Sequence, residues 1–319
     1  MHTATAHHIS ASVDTCQWAV IDPKIPSMFP VQSGARLIID TVGGGPDMLS
    51  PAYKFRIPPE LADNHARTPR NVPGHVLTGP AFVEGVEAGD TLEVRIIDIK
   101  LRQDWSYSFI RALAGTLPAE FDTYWLIYIP LYCERMVALL PRGLDLPLRP
   151  FFGVMCVSPP ARRGRIGINA QRAHGSNFDN KELRQGSLLF LPVHVLGVNY
   201  SCVGGCAAQG DGRACTTAIK TLLQGIFEPI LHKKKALSYP RAETPTHNIT
   251  MGMTSILHLC MDMAVARHDR FTDRARPVAR GCLYAVQGRR GLSHHANRLH
   301  PPRQACQAAQ RAGSTGKNQ

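Results

Sequence analysis

Short apolar runs that end at glycine or proline are the feature that most constrains how this chain folds. The β-branched run at residues 35–42 stops at Gly43-Gly44-Gly45-Pro46. Further runs of this kind lie at residues 81–86, 90–101, 126–131, 136–140, 152–157 and 187–195. Prolines between the runs favour loops that connect sheets over βαβ crossovers. The pattern predicts a mainly β protein with jelly-roll-like or β-sandwich sheets.

Two details of this pattern give local predictions. In residues 90–101, Leu92, Val94 and Ile96 share one face, which is the period-2 pattern of a half-buried strand. The short turn at residues 87–89 predicts a hairpin between this strand and residues 81–86. A single helical stripe predicts an α-helix in a small α+β C-terminal part, and it consists of Met253, Ile256, Leu257, Cys260, Met261, Ala264 and Val265.

The length of 319 residues allows one large domain or two ordinary ones. We predict a β-rich catalytic body at residues 1–269, with a break between two sub-domains near 150–185 as an alternative to a single unit. Residues 270–319 are rich in Arg, Ala, Gly, His, Gln and Pro and keep no helical or strand period. Such a segment predicts a basic disordered tail, or a reading frame that has shifted.

The net charge of +12 is concentrated in that tail. Residues 270–319 hold nine Arg and Lys317 against Asp273, which leaves 26 basic and 23 acidic residues in the body. A folded nucleic-acid-binding face needs basic residues clustered within the body. The distribution therefore disfavours a nucleic-acid partner, although binding to nucleic acid or an acidic partner through the tail stays an alternative.

The longest apolar runs, such as residues 188–193, are much shorter than the roughly 20 residues that span a bilayer. No basic cluster followed by an apolar stretch marks the N-terminus as a signal peptide. The nine cysteines are scattered at irregular spacing, which is typical of reduced thiols. Together these features predict a cytoplasmic protein that does not enter the membrane.

Four clusters of small and polar residues are candidates for chemistry, and each also has a local explanation. They lie at residues 74–80, 174–183, 204–212 and 240–247. The Asn-Phe-Asp-Asn segment at 177–180 can form an Asx-turn, and Arg241 with Glu243 can form an ordinary ion pair. Cys202, Cys206 and Cys215 lack a fourth ligand at zinc-finger spacing.

Taken together and in order, seven segments of the chain resemble the acetamidase/formamidase family. They read HVLTGP, EAGDTLEVRIIDIKL, RPFFGVM, HGSNFDNKEL, GSLLFLPVHV, CAAQGDG and PRAETPTHNITMG. The resemblance runs from about His8 to Ala266. It implies a hydrolase that cleaves the carbon–nitrogen bond of small linear amides such as formamide or acetamide, giving a carboxylate and ammonia. It also implies a β-rich scaffold, a homo-oligomer and, in some relatives, a divalent metal such as zinc.

Amide hydrolysis needs an activated water, a group that polarises the carbonyl and a proton donor for the amine. On the matching motifs, the expected catalytic residues are Glu243 as general base or acid, Asn177 as carbonyl partner and His247. The expected substrate-binding residues are Gln209, Gly210 and Thr78. The expected metal ligands are His75, Asp179, Asp211 and Cys206, and such a metal would lower the pKa of a bound water.

The third cluster, at residues 204–212, departs from the sequence that is usual in the acetamidase/formamidase family. Gly204 stands where the family has Asp, Cys206 where it has His, and Arg213 where it has Glu. Gly204 offers no side-chain ligand, and Arg213 reverses a charge beside the expected site. These changes leave a catalytically impaired or inactive relative as the alternative to an active amidase.

Overall fold

We describe the protein from a computed structural model, which covers residues 6–27, 29–51, 54–70, 72–169, 171–254, 256–275, 290–297 and 303–311. Two α-helices lie in these residues, α1 (Pro59–Arg67) and α2 (Leu257–Ala275). The described strands are β1 (Ala6–Ile9), β2 (Cys16–Trp18), β3 (Val20–Ile21), β4 (Phe29–Val31), β5 (Arg36–Asp40), β6 (Val76–Val83), β7 (Thr91–Leu101), β8 (Trp105–Ile110), β9 (Trp125–Tyr132), β10 (Val137–Leu140), β11 (Leu144–Pro147), β12 (Val154–Cys156), β13 (Ile166–Gly167), β14 (Gly175–Asn177), β15 (Leu188–Pro192), β16 (Tyr200–Val203), β17 (Gly205–Ala208), β18 (Ile219–Thr221), β19 (Leu223–His232), β20 (Arg241–Glu243), β21 (His247–Thr254), β22 (Arg290–Asn297) and β23 (Arg303–Arg311).

Three sheets hold almost all of these strands. Sheet I has nine strands in the order β1-β5-β19-β7-β15-β20-β21-β23-β22. Sheet II has six, in the order β11-β10-β9-β8-β18-β17. Sheet III has the order β14-β12-β16-β6-β2, with β4 paired to β6, and β3 pairs with β13 outside the three sheets. The prediction of a mainly β fold with packed sheets is therefore confirmed.

Sheet III contributes to two hydrophobic cores because its strands are buried on both faces. In β12, Met155 joins the core shared with sheet I, whereas Val154 and Cys156 join the core shared with sheet II. This alternation explains why β12 is a continuous apolar run in the sequence. Phe227 of sheet I contacts Tyr200 of sheet III, with ring centroids 5.6 Å apart in an edge-on arrangement.

The hairpin predicted for residues 81–101 is wrong. Strand β6 pairs with β16, β2 and β4 in sheet III, and β7 pairs with β15 and β19 in sheet I. The connection closes a tight turn in which the Asp90 carboxylate accepts a hydrogen bond from the Glu87 amide at 2.9 Å. The length of this turn is compatible with a hairpin. The chain nevertheless crosses to another sheet, because tertiary packing decides with which strands β6 and β7 pair.

The C-terminal helix begins later than its stripe predicts, since Met253 belongs to strand β21 and α2 starts at Leu257. The Cys260 sulfur accepts a hydrogen bond from the Thr254 amide at 3.1 Å, which folds the helix back on its own strand. A Cβ on Gly252 would lie 1.9 Å from the Cys260 carbonyl oxygen, so this close approach requires glycine.

Helix α1 was not predicted, although Pro59 followed by Glu60 is a helix-start signal.

The predicted boundary at residue 269 lies inside α2, which continues to Ala275. Within the predicted tail, β23 pairs with β21 and β22 pairs with β23. Backbone hydrogen bonds form a strand ladder whatever the side chains are, so a polar composition does not prevent pairing. The prediction of disorder elsewhere in the tail falls on residues 276–289, 298–302 and 312–319, which lie outside the described residues.

In the part of the chain that is described, no helix has the length and apolar character needed to cross a bilayer.

Candidate active site

A buried polar cluster lies where sheets II and III meet, and we call Asp179, Cys206, Arg213 and Lys220 the charged cluster. Cys206 is fully buried, and the side chains of Asp179, Arg213 and Lys220 are 3%, 6% and 10% exposed. Buried charges are costly unless they are paired. Their concentration at one point is therefore the strongest structural indication of a site in the described residues.

Strand pairing brings two members of the charged cluster together. Cys206 on β17 and Lys220 on β18 are directly opposite partners in sheet II. Opposite residues in an antiparallel pair project from the same face of the sheet. The Lys220 ammonium accordingly donates a hydrogen bond to the Cys206 sulfur at 3.1 Å.

A tight turn after β14 supplies the carboxylate. Asp179 adopts a left-handed conformation with φ +47°, and its amide donates a hydrogen bond to the Gly153 carbonyl at 3.0 Å. Aspartate tolerates this region better than most residues because its short side chain bonds locally. The carboxylate pairs directly with the Arg213 guanidinium and lies 3.9 Å from the Lys220 ammonium.

The loop after β17 completes the site through Gln209. Its side-chain amide nitrogen donates to the Asp179 carbonyl at 2.7 Å, and its side-chain oxygen accepts from Arg213 Nε at 2.7 Å. Arg213 also donates to the Cys206 sulfur at 3.4 Å. Gln209 therefore holds both Asp179 and Arg213 in place.

Burial and nearby charges together set the pKa values of Arg213, His75 and Tyr107. Burial would lower the pKa of Arg213, but the Asp179 carboxylate and Cys206 hold it above its usual value. Burial and the nearby Lys220 lower the pKa of His75 to about 3. His75 is thus a neutral imidazole at neutral pH, within electrostatic reach of Asp179 and Arg213. Burial also raises the pKa of Tyr107, which stays a neutral phenol.

The charged cluster does not suit a divalent metal. Asp179 and Cys206 are donor types that zinc accepts. Each of them already contacts both Arg213 and Lys220, and two fixed positive charges repel a cation. Among the residues the structure describes, no three His, Cys, Asp or Glu side chains group as metal ligands do.

The structure places the other expected site residues at several positions. Glu243 on β20 pairs with Arg241, as its local explanation predicts, and His247 starts β21, where its ring contacts the Thr246 hydroxyl at 2.7 Å. Both strands belong to sheet I. The Asp211 side chain is 66% exposed and lies 3.0 Å from the Lys181 ammonium.

Of the remaining expected residues, Asn177 and Thr78 belong to sheet III. Asn177 on β14 and Thr78 on β6 are buried, and the Thr78 hydroxyl lies 3.5 Å from the Cys16 sulfur. Gly210 is exposed in the loop after β17. Asn180 accepts a hydrogen bond from the Glu182 amide at 2.9 Å, so the predicted Asx-turn does form beside Asp179.

Sequence reasoning missed Lys220. Its signal is a lone lysine between Ile219 and Thr221, in a run where its neighbours are apolar or β-branched. Lysine is almost never buried without a partner, so such a position in a strand indicates a buried anion or sulfur opposite to it.

A separate pocket of about 250 Å³ lies beside the loop that carries Arg213. It is lined almost entirely by apolar surface, from Ile110, Ala114, Thr116, Leu117, Phe121, Ala214 and Cys215. No charged side chain lines this pocket. The chemistry therefore belongs to the charged cluster rather than to the pocket.

We expect Gly204→Asp, which would restore the residue usual in the family, to destabilise the protein by about 1–3 kcal/mol. A Cβ on Gly204 would lie 2.7 Å from the Val42 carbonyl oxygen and 3.3 Å from the Gly43 Cα. Backbone at this distance cannot move as a flexible side chain does. Urea unfolding measures the loss. The control is Gly167→Asp, because Gly167 is exposed in strand β13 and a Cβ there would lie 3.8 Å from the Ala19 carbonyl oxygen, which is an ordinary contact distance.

The comparisons with known proteins agree with this architecture. No protein-family model and no curated protein sequence matches the chain. Among solved structures, acetamidase from Bacillus halodurans matches with a TM-score of 0.81 at 22% identity, over 96% of this chain and 97% of that one. Acetamidase from Yersinia enterocolitica matches with a TM-score of 0.82 at 20% identity, over 97% and 93%. A gamma lactamase from Delftia acidovorans matches with a TM-score of 0.61 at 17% identity, over 95% and 92%.

These likenesses define the class of fold: the chain has the fold of the acetamidase structures along nearly its whole length. The expectation of that fold from the seven sequence segments is confirmed. Because a fold hosts several chemistries, and the gamma lactamase shares this one more loosely, the reaction has to be argued from the site.

Proposed function

We propose that the protein is an amide hydrolase that converts small linear amides of the formamide or acetamide type into a carboxylate and ammonia. The observation that carries this proposal is the charged cluster within a fold shared with acetamidases. Two of its members, Asp179 and Cys206, lie on the family-like segments HGSNFDNKEL and CAAQGDG. Amide hydrolysis needs both a proton acceptor and hydrogen-bond donors at one place, and this cluster has both.

Arg213 and Lys220 are the proposed donors to the amide oxygen. Negative charge grows on that oxygen when water attacks the carbonyl carbon, and fixed cations in a buried site stabilise it strongly. Lys220 also carries a proton that the amide nitrogen can take as the carbon–nitrogen bond breaks, so that it leaves as ammonia. Gln209 orients the guanidinium through its 2.7 Å hydrogen bond to Nε.

Asp179 is the proposed acceptor of the proton that the attacking water releases. In its resting arrangement the carboxylate is engaged by Arg213, so the amide must displace part of that contact to bind. Glu243 and His247 remain proposed alternatives for proton transfer, and Asn177 for contact with the carbonyl. The proposal also includes a homo-oligomer, which is supported by exposed apolar side chains such as Leu113, Leu117 and Trp125.

The test is ammonia release from formamide and acetamide by the purified chain, compared with Arg213→Lys. Arg213→Lys keeps the charge but loses the planar fork, whose Nε donates to Gln209 and whose Nη2 contacts both Asp179 and Cys206. We expect the unmodified chain to release ammonia and the variant to lose at least about tenfold in kcat/KM, corresponding to about 1.4 kcal/mol. The matched control, Arg135→Lys, changes the exposed Arg135–Asp145 pair and keeps full activity.

Two outcomes contradict the proposal. If the folded chain releases no ammonia from either amide, it is a catalytically inactive relative, a candidate favoured by the guanidinium that already fills the space beside Asp179. If Glu243→Gln abolishes activity while Arg213→Lys leaves it intact, the reaction takes place on sheet I instead.

A further inference from the structure

We propose that Arg213 and Lys220 supply, from the chain itself, the two positive charges that a divalent ion would bring to this site, so that the site works without a metal. The inference concerns the charged cluster, but it does not need the proposed amide hydrolysis, because its test reads metal content and thermal stability.

The contacts of the two cations carry the inference. Asp179 and Cys206 are the two buried side chains in the cluster with atoms suited to a metal, and Arg213 contacts both of them. Lys220 contacts the same two atoms, at 3.1 Å from the Cys206 sulfur and 3.9 Å from an Asp179 oxygen. The guanidinium and the ammonium therefore already lie against both atoms that would hold a metal.

The charge balance supports the same conclusion. Two buried cations already contact both donor atoms, so a divalent cation entering the site would meet the repulsion of two fixed positive charges. A carbonyl oxygen, an oxyanion or a carboxylate product is instead attracted to them.

The primary test measures metal in the unmodified chain. The protein is purified without added metal, its zinc is quantified by mass spectrometry, and thermal unfolding is followed with EDTA, with Zn²⁺ and with neither. We expect far less than one zinc per chain and the same Tm in all three conditions. Zinc at one per chain, removable by EDTA with a fall in Tm and lost in Cys206→Ser, would overturn the inference.

A second test converts the cation pair into a metal site. Arg213→Glu removes one positive charge and adds a carboxylate beside Asp179 and Cys206, which gives zinc a possible set of ligands. We expect this variant to bind about one zinc per chain and to gain several degrees in Tm when Zn²⁺ is added, since a ligand of the native state stabilises it. The further change Cys206→Ser should reduce this gain.

The matched control is Arg135→Glu, which makes the same substitution at the exposed pair with Asp145 and should gain no zinc. A folded Arg213→Glu that takes up no zinc would contradict the claim that the guanidinium occupies a cation position. If Arg213→Glu does not fold, the metal content of the unmodified chain still decides the question.

Discussion

Asp179→Asn is expected to lower the free energy of unfolding by about 3–5 kcal/mol, because removing one partner leaves buried charges uncompensated. The Asp179 side chain is 3% exposed, and its carboxylate faces both Arg213 and Lys220. The substitution keeps the size and shape of the side chain and removes only the charge. Urea unfolding followed by circular dichroism measures the change.

The control for this prediction is Asp145→Asn, which removes the carboxylate of an exposed pair with Arg135. The side chains of that pair are 62% and 45% exposed, and such pairs contribute at most about 1 kcal/mol. Equal losses in Asp179→Asn and Asp145→Asn would contradict the buried arrangement. Adding Arg213→Gln to Asp179→Asn should recover part of the loss, since it removes one of the unpaired charges.

The second large effect is a loss of stability between pH 7 and pH 5. Burial lowers the pKa of His75 to about 3, assisted by Lys220, and lowers that of His174 to about 3, assisted by His194. In the unfolded chain each imidazole binds a proton near pH 6.5, whereas the native state stays neutral until about pH 3. The unfolded state therefore binds more protons across this interval.

The sign follows from that difference in proton binding. Stability is full above pH 6.5 and falls as the pH falls, by up to about 1.4 kcal/mol per pH unit for each histidine. For the two together, the expected loss between pH 7 and pH 5 is about 4 kcal/mol. Urea unfolding at a series of pH values measures it. His174→Gln should remove the His174 share of the loss, about 2 kcal/mol between pH 7 and pH 5, whereas His258→Gln, at an exposed position of α2, should leave the profile unchanged. A flat profile between pH 7 and pH 5 would show that these imidazoles are protonated in the native state.

The class of fold and the segments that carry Asp179, Cys206 and Gln209 were predictable from the sequence because they depend on local patterns. The alternation of Leu92, Val94 and Ile96 corresponds to β7, and the glycine-rich CAAQGDG segment lies where β17 ends. Among the expected site residues, Asp179, Cys206 and Gln209 do meet in the structure. Each of them belongs to a segment that is distinctive on its own.

What the sequence by itself determined is therefore the polar segments, the departures at Gly204, Cys206 and Arg213, and part of the strands, namely β5, β7, β9, β10, β12 and β15. Only the tertiary structure decided that residues 81–101 cross between sheets, and that Lys220 lies opposite Cys206. The physical reason is that strand partners are chosen by long-range packing, which no local pattern contains. Arg213 shows the difference most clearly, because in the sequence it is a reversed charge and in the structure it is the partner of Asp179.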